Sequence, residues 1–540
     1  MKCIATIAVD MERSPLGMRS RLGDDLAGKP VLRRTVERVL RADRLASVHV
    51  LAPAHQVSDV LRLLDDLGVA IERFDEPPPV YAQLVRAGRV WGIDGWRGGI
   101  GELCAFDEDI HVPLLDALAQ RTGADAVASI PAAAAVLDPA LINAMVRHYE
   151  TYAESARITI VQAPPGLGAV ILSSSVLKEL APAGQPPGFL LTYRPDQPAA
   201  DVTGKEACYR PAAQIIESRG RLLCDTHRSF ERVRRLLEAG GEDWDAERIA
   251  RWLADRQVRH VDPVPEEIEI ELTTVDPLTP ASLLRPRGDE VGSRGPIRLD
   301  VIEAIASAIE PYDDVRVVLG GFGEPSSHPD FARICRIIRD SGAAAIAVRT
   351  SAGVDDPAVE AALFGTPVDV VEVTLDAATA QTYRDVHGAG AFDRVLARVE
   401  SWISLRASRK QVLPLIVPSF VKANENLHEM EEFFDAWQRR LGMALITGYS
   451  HCAGQRPPRA VTSTAPPARG ACRCVFSRML ILADGRVTTC DQDFAARQTV
   501  GRIPEASVPE LWQSSGLAAV RADAVADQPL CPACDQWHRT

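Results

Sequence analysis

From Glu267 onward the chain repeats one pattern six times, and that repetition constrains the fold more than any other feature. The short apolar runs EIEIEL, VRVVLGG, AAIAVRT, VDVVEVTLD, LPLIVPSF and ALITGYS alternate with stretches of helical spacing such as LDVIEAIASAIE and DFARICRIIRDSG. Strands separated by helices line up in parallel. Six such units predict a partial (β/α)6 or full barrel over residues 266–455. In the first run Ile268, Ile270 and Leu272 alternate with Glu269 and Glu271, the pattern of a half-buried edge strand. The loop that follows, TTVDPLTPASLLRPRG, offers one carboxylate, Asp276, no cysteine or histidine, and a basic end.

An α/β reading also suits the first 240 residues. CIATIAV and SVHVLA are strand candidates, and between them KPVLRRTVERVLRA places Val31, Leu32, Val36, Val39 and Leu40 along one helical side. This is a βαβ start and predicts a mostly parallel sheet. Residues 241–265 read as a charged, helix-rich connector. The Pro-, Thr- and Ala-rich run at 454–470 reads as a linker before a small tail, so that 456–540 form the last segment. At 540 residues the chain exceeds a single core. Its net charge of −13, with no basic run, argues against nucleic acid or an anionic membrane as partner. No apolar run reaches the length of a membrane span, and MKCIATIAVD reads as a buried strand, so a cytoplasmic location is expected.

Six of the eleven cysteines crowd the last ninety residues. Cys472 and Cys474 precede SRMLILADGRVTTC, a strand, a turn at Asp484–Gly485 and a strand returning to Cys490. Cys531-Pro-Ala-Cys534 adds two more thiols from one tight turn. Four thiolates from three places suit either a tetrahedral Zn²⁺ or a [4Fe–4S] cluster. His451 and Cys452, after the last of the six apolar runs, stand where they can reach a ligand.

CRCVFSRMLILADGRVTTCDQDF, VGRIPEASVPELWQSSGLAAVR and CPACDQWH together resemble the SPASM extension of radical SAM proteins. The resemblance implies an auxiliary iron–sulfur cluster held by Cys490, Cys531, Cys534 and either Cys472 or Cys474. Residues 266–455 resemble the radical SAM fold itself. GGFGEPSSHPDF is similar to the family's strand-two motif, so that Gly320, Gly321, Gly323 and Glu324 would face the methionyl group of SAM, and Asp376 stands at the end of the strand-four region. Strand one should end in three cysteines spaced CxxxCxxC. Aligned on ELTT, those positions are Asp276, Pro280 and Leu283, and the motif occurs nowhere else in the chain. Without three thiolates there is no cluster with an open iron for SAM at that place.

RSPLGMRSRLGDDLAGKPVLRRTVERVL, after the first strand, resembles the start of GT-A-like sugar nucleotidyltransferases of the CMP-sugar synthetase and spore-coat polysaccharide type. The resemblance implies that Arg19, Arg21 and Lys29 face phosphates. The family's metal-binding acid falls on Ala133, while Asp138 matches a flanking aspartate. Asp107 and Glu108, in CAFDEDIH, could substitute for it but are not expected to.

These losses point to a degenerate radical SAM/SPASM protein that keeps an auxiliary cluster. It would act as a binding, scaffold or electron-relay partner, beside an active paralogue, in surface-glycan or sugar-nucleotide metabolism. Two other readings stay open. One is a CTP- or UTP-dependent nucleotidyltransferase with a structural C-terminal half, which needs Mg²⁺ and nucleotide. The other is an active SAM enzyme with an unconventional cluster site.

Overall fold

The computed structural model describes all residues except 197–205, 258–259, 280, 366–367, 464, 467–468, 471, 523–527 and 539–540. The chain divides into two units, Met1–Arg259 and His260–Thr540.

In the first unit, apolar runs too short to be helices form a sheet, and the helix Val31–Val39 crosses between the first two strands. Its strands are β1 (Cys3–Ala8), β2 (Val48–Pro53), β3 (Ala70–Phe74), β4 (Ala126–Ser129), β5 (Ile158–Val161), β6 (Val170–Ser173) and β7 (Cys208–Tyr209), in the order β3-β2-β1-β4-β6-β5-β7. All neighbours run parallel except at β6, which is antiparallel to β4 and to β5. Val31, Leu32, Val36 and Val39 are buried, as the helical spacing predicts, whereas Leu40, which the same spacing groups with them, is 44% exposed at the helix end. The expected connector is used differently. Ala246, Ile249, Ala250 and Leu253 of the helix Ala246–Gln257 lie in the core of the first unit, so this segment closes that unit rather than linking two.

In the second unit, β8 (Glu267–Glu271), β9 (Arg316–Gly320), β10 (Ala345–Thr350), β11 (Val370–Thr374), β12 (Leu415–Lys422) and β13 (Leu445–Gly448) pair in sequence, every pair parallel. Helices fill each crossover, as parallel pairing requires. On the far side of β8 the tail adds β14 (Arg478–Ile481), β15 (Arg486–Thr488) and β16 (Thr499–Arg502). β14 is parallel to β8, with Ile268 opposite Met479, and β15 and β16 turn back antiparallel.

This pairing corrects one expectation. β8 is an interior strand, not an edge. Ile268, Ile270 and Leu272 do enter the core, while on the alternate face Glu267 and Glu271 are buried and Glu269 is half-buried. Glu267, Glu269 and Glu271 point to the other side of the sheet, where arginines from distant segments meet them. Arg294 grips Glu271 through two bonds of 2.8 and 2.9 Å, Arg349 lies 2.8 Å from Glu269, and Arg316 and Arg478 flank Glu267 at 3.7 and 3.3 Å. Buried carboxylates persist because each is paired.

Candidate metal centre and adjoining pocket

Cys474 opens the one-turn helix Cys474–Ser477, which leads directly into β14. The chain reverses at Asp484–Gly485. Gly485 has φ +84°, and a Cβ there would stand 2.5 Å from the Ile503 carbonyl oxygen, so only glycine fits this turn. β15 then returns the chain to Cys490, whose carbonyl accepts from the Thr488 hydroxyl at 2.9 Å. The tight turn at 531–534 closes with the Cys534 amide on the Cys531 carbonyl at 3.0 Å. Cys472, Cys474, Cys490, Cys531 and Cys534 all line one pocket.

The thiols of this pocket differ in character. The Cys474 thiol donates to Cys472 and, despite burial, Cys472 is brought down to about 7, helped by the amides of Val475 and Cys474. Cys474, the donor and itself buried, is held well above the usual thiol range. Burial pushes Cys490 well up and Cys534 to about 11, although the Gln536 amide points at the Cys534 sulfur from 3.3 Å. Thiols crowded in a buried pocket ionise together only when a metal supplies positive charge. An all-thiol donor set drawn from three chain segments fits an iron–sulfur cluster in its chemistry. Among the described residues, no three of His, Cys, Asp and Glu converge closely enough to grip a single ion; the sulfurs ring a space instead.

A second pocket adjoins the first on the glutamate-bearing face of the sheet. It is lined by Glu269, Arg285, Arg287, Phe322, Arg349 and Asp491, among others. Asp491, next to Cys490, lines both pockets and the narrow space between them. His451 and Cys452 brace this junction rather than face a ligand. His451 accepts the Gly454 amide at 2.7 Å and lies 3.3 Å from Asp535, and Cys452 is buried with its amide on Ser450.

Residues 472–535 match the model of SPASM, an iron–sulfur cluster-binding domain, and residues 286–435 match that of the radical SAM superfamily. The chain carries a radical SAM domain and a SPASM domain. The radical SAM match begins at Pro286, after β8 and the loop that holds Asp276. A curated relative, an uncharacterized protein of Treponema pallidum (strain Nichols), is 25% identical over 307 residues, 55% of this chain and 85% of that protein. Among solved structures, Streptococcus suis SuiB bound to precursor peptide SuiA covers 60% of this chain and 85% of its own at 13% identity and a TM-score of 0.42. A cytidylyltransferase from Leptospira borgpetersenii serovar Hardjo-bovis (strain JB197) covers 47% of this chain and 95% of its own at 12% identity and a TM-score of 0.33.

The residues expected to face SAM sit together at the ends of the radical SAM domain's strands, but their side chains are engaged with the protein. Glu324 is buried and accepts from Ser326, Thr350 and Ser351, the Ser351 amide at 2.6 Å; it also caps the turn Pro325–Ser327. The glycines make room for β8. A Cβ on Gly323 would stand 2.1 Å from the Thr273 carbonyl oxygen, one on Gly321 2.5 Å from the Glu271 Cβ, and one on Gly320 3.2 Å from Glu269. Gly323→Ala is therefore expected to cost about 1–3 kcal/mol of stability by overpacking, read as a lower urea midpoint with an unchanged slope. Asp376, fully buried, accepts the Val421 amide at 2.6 Å and pairs with Arg285.

Asp276, at the first of the three aligned cysteine positions, is buried and paired with Arg287 at 3.1 Å. It also accepts the Leu278 and Thr279 amides at 3.0 Å and the Thr279 hydroxyl at 2.6 Å. Pro280 lies outside the described residues; Leu283 donates its amide to the Val386 carbonyl at 2.8 Å. The basic end of this loop reaches the second pocket. Arg285 and Arg287 are what it delivers.

In the first unit the expected phosphate-facing residues meet acids. Arg19 holds Asp24 through two bonds of 2.9 and 2.6 Å, Arg21 lies 3.8 Å from the same carboxylate, and Lys29 pairs with Glu37 at 2.7 Å. Asp138 caps the helix Pro139–Thr151 through the Ala140 amide and takes the Ala246 amide at 2.8 Å. Ala133 is buried. Asp107 is spent on the amides of Cys104 and Gly188, and Glu108 lies between Arg89 and Arg221. No helix among the described residues is long and apolar enough to cross a membrane.

Proposed function

We propose that this radical SAM/SPASM protein keeps an auxiliary [4Fe–4S] cluster in its SPASM domain and has lost the site at which SAM is cleaved. One observation carries the reading. Asp276, standing where the first cluster cysteine belongs, is consumed by a buried ion pair with Arg287 and by its own loop. Proline and leucine at the two other positions bring no donor. Asp376 is likewise held by Arg285, so the pocket is organised as a lattice of ion pairs.

Cys490, Cys531, Cys534 and Cys472 or Cys474 would hold the auxiliary cluster, which supplies one-electron chemistry when bound. Asp491, shared by the thiol pocket and the ion-pair pocket, supports a role for this face as an electron relay or docking site. On this reading the six parallel strands form a partial (β/α)6 barrel. The first unit is a GT-A-like domain lacking its metal-binding acid, and it retains sugar-nucleotide binding at most. The chain then serves as scaffold or relay beside an active paralogue in cytoplasmic sugar-nucleotide or surface-glycan metabolism.

Anaerobic reconstitution with iron and sulfide tests this. About four irons per chain are expected. They should be lost in Cys531→Ser/Cys534→Ser and kept in Asp276→Asn. About eight irons, or a reduced EPR signal that shifts on adding SAM, would overturn the proposal.

A further inference from the structure

The first unit contains a pocket unconnected with the loop that carries Arg19, Arg21 and Lys29. It opens where β4 and β5 end and β6 begins, lined there by Ser129, Val161 and Val170. This is the edge of a largely parallel sheet at which ligands collect, because backbone groups and loops converge there. The lining is mainly apolar, with two aromatic walls, Trp96 and Phe106, and one ionisable side chain, Asp109.

The charge count around Asp109 is what singles the pocket out. Next to it in sequence, the Glu108 side chain is fully buried and bonded by Arg89 at 2.9 Å and by Arg221. Arg221 also holds Asp225, with bonds of 2.7 and 2.5 Å. Two guanidinium groups and two carboxylates thus satisfy one another. Asp107, on the other side in sequence, points at the Cys104 and Gly188 amides. Asp109 alone receives no hydrogen bond and no ion pair from the described residues, and it faces the pocket. Burial and the neighbouring acids Glu108 and Asp225 oppose its ionisation. Arg221, the cation nearby, is already taken up by Glu108 and Asp225, so this half-buried carboxylate on an apolar pocket gains most from a cation that arrives with a ligand. Aromatic faces beside a carboxylate are the surroundings that stabilise an organic cation.

We propose that this pocket binds a small primary ammonium ion on a compact carbon frame. The N–H donors would go to the Asp109 carboxylate and the Ser129 hydroxyl, and the frame would lie against Trp96 and Phe106. This site uses the first unit only and needs neither iron nor SAM, so it stands or falls apart from the cluster assignment.

The test titrates the full-length chain by calorimetry with two amines, cyclohexylamine and glucosamine, and with their neutral counterparts, cyclohexanol and glucose. At least one amine should bind about tenfold or more tightly than its neutral counterpart. Asp109→Asn should erase that preference without lowering the melting temperature, since no described residue hydrogen-bonds to Asp109 or pairs with it. Phe106→Leu, which leaves the acid in place, should weaken the amine yet keep the preference. Equal binding of amine and neutral counterpart, a preference that survives Asp109→Asn, or no binding of either amine would each overturn the proposal.

Discussion

Arg221→Met is expected to destabilise the first unit by about 3–5 kcal/mol, the cost of breaking a buried ion network from one side. Arg221 is 1% exposed and binds Asp225 through both carboxylate oxygens, Glu108, and the Ile93 carbonyl at 3.2 Å. Methionine fills much of the same space but leaves Asp225 with no guanidinium and Glu108 with Arg89 alone. Burial pushes Glu108 up, yet Arg221 and Arg89 together hold it below the ordinary carboxylate range. Removing Arg221 releases that hold, so both acids should take up protons more readily in the folded variant. The deficit should therefore be largest at neutral pH and shrink as the pH falls below about 5. Urea unfolding at a series of pH values reads this directly, and a loss under about 1 kcal/mol at pH 7 would contradict the network's role.

Asp376→Asn should weaken the second unit by about 2–3 kcal/mol at neutral pH, with the opposite kind of pH signature from a simple packing defect. Burial raises the Asp376 carboxyl, but Arg285, then His387 and the Val421 amide, bring it down to about 2. The folded-state value lies below that of the unfolded chain. The carboxylate therefore contributes its full stability above about pH 4 and loses it as the pH falls toward 2. Wild type and variant should differ most at pH 7 and converge near pH 2, because a protonated Asp376 no longer pairs with Arg285. Parallel stability curves across that range would mean that shape, not charge, is what Asp376 provides.

Both predictions rest on at least one pair far apart in sequence, Glu108 with Arg221 and Asp376 with Arg285, and this marks the limit of what was legible beforehand. The six strand–helix repeats, the apolar face of β8 and the thiol-bearing hairpin were readable because each depends on spacing within a few residues. What faced Glu267, Glu269 and Glu271 was not readable. Their arginines come from positions 294, 316, 349 and 478, and alternation alone cannot distinguish solvent from a lattice of counter-charges. The same holds at Asp276. Its type and position showed that a thiol was missing, but only the fold showed that Arg287, eleven residues on, had taken up the carboxylate. Asp491 carried a weak signal, an acid beside a cysteine, which acquires meaning only once two pockets are seen to meet there. The helix Ala246–Gln257 was misplaced because its many charges obscured the spacing of Ile249 and Leu253.

The pairing of β14 with β8 sets an order of events during synthesis. Residues 267–271 emerge about two hundred residues before the strand that completes their second side. At about 5–20 residues per second, β8 waits on the order of ten to forty seconds with one flank of backbone amides and carbonyls uncovered. An open strand edge with uncharged side chains would invite capture by another nascent chain. Glu267, Glu269 and Glu271 place three negative charges on one face of that open strand, and like charges repel a second copy of the same segment. The residues that end as partners of arginine in the finished sheet thus serve first as guards of an unfinished one.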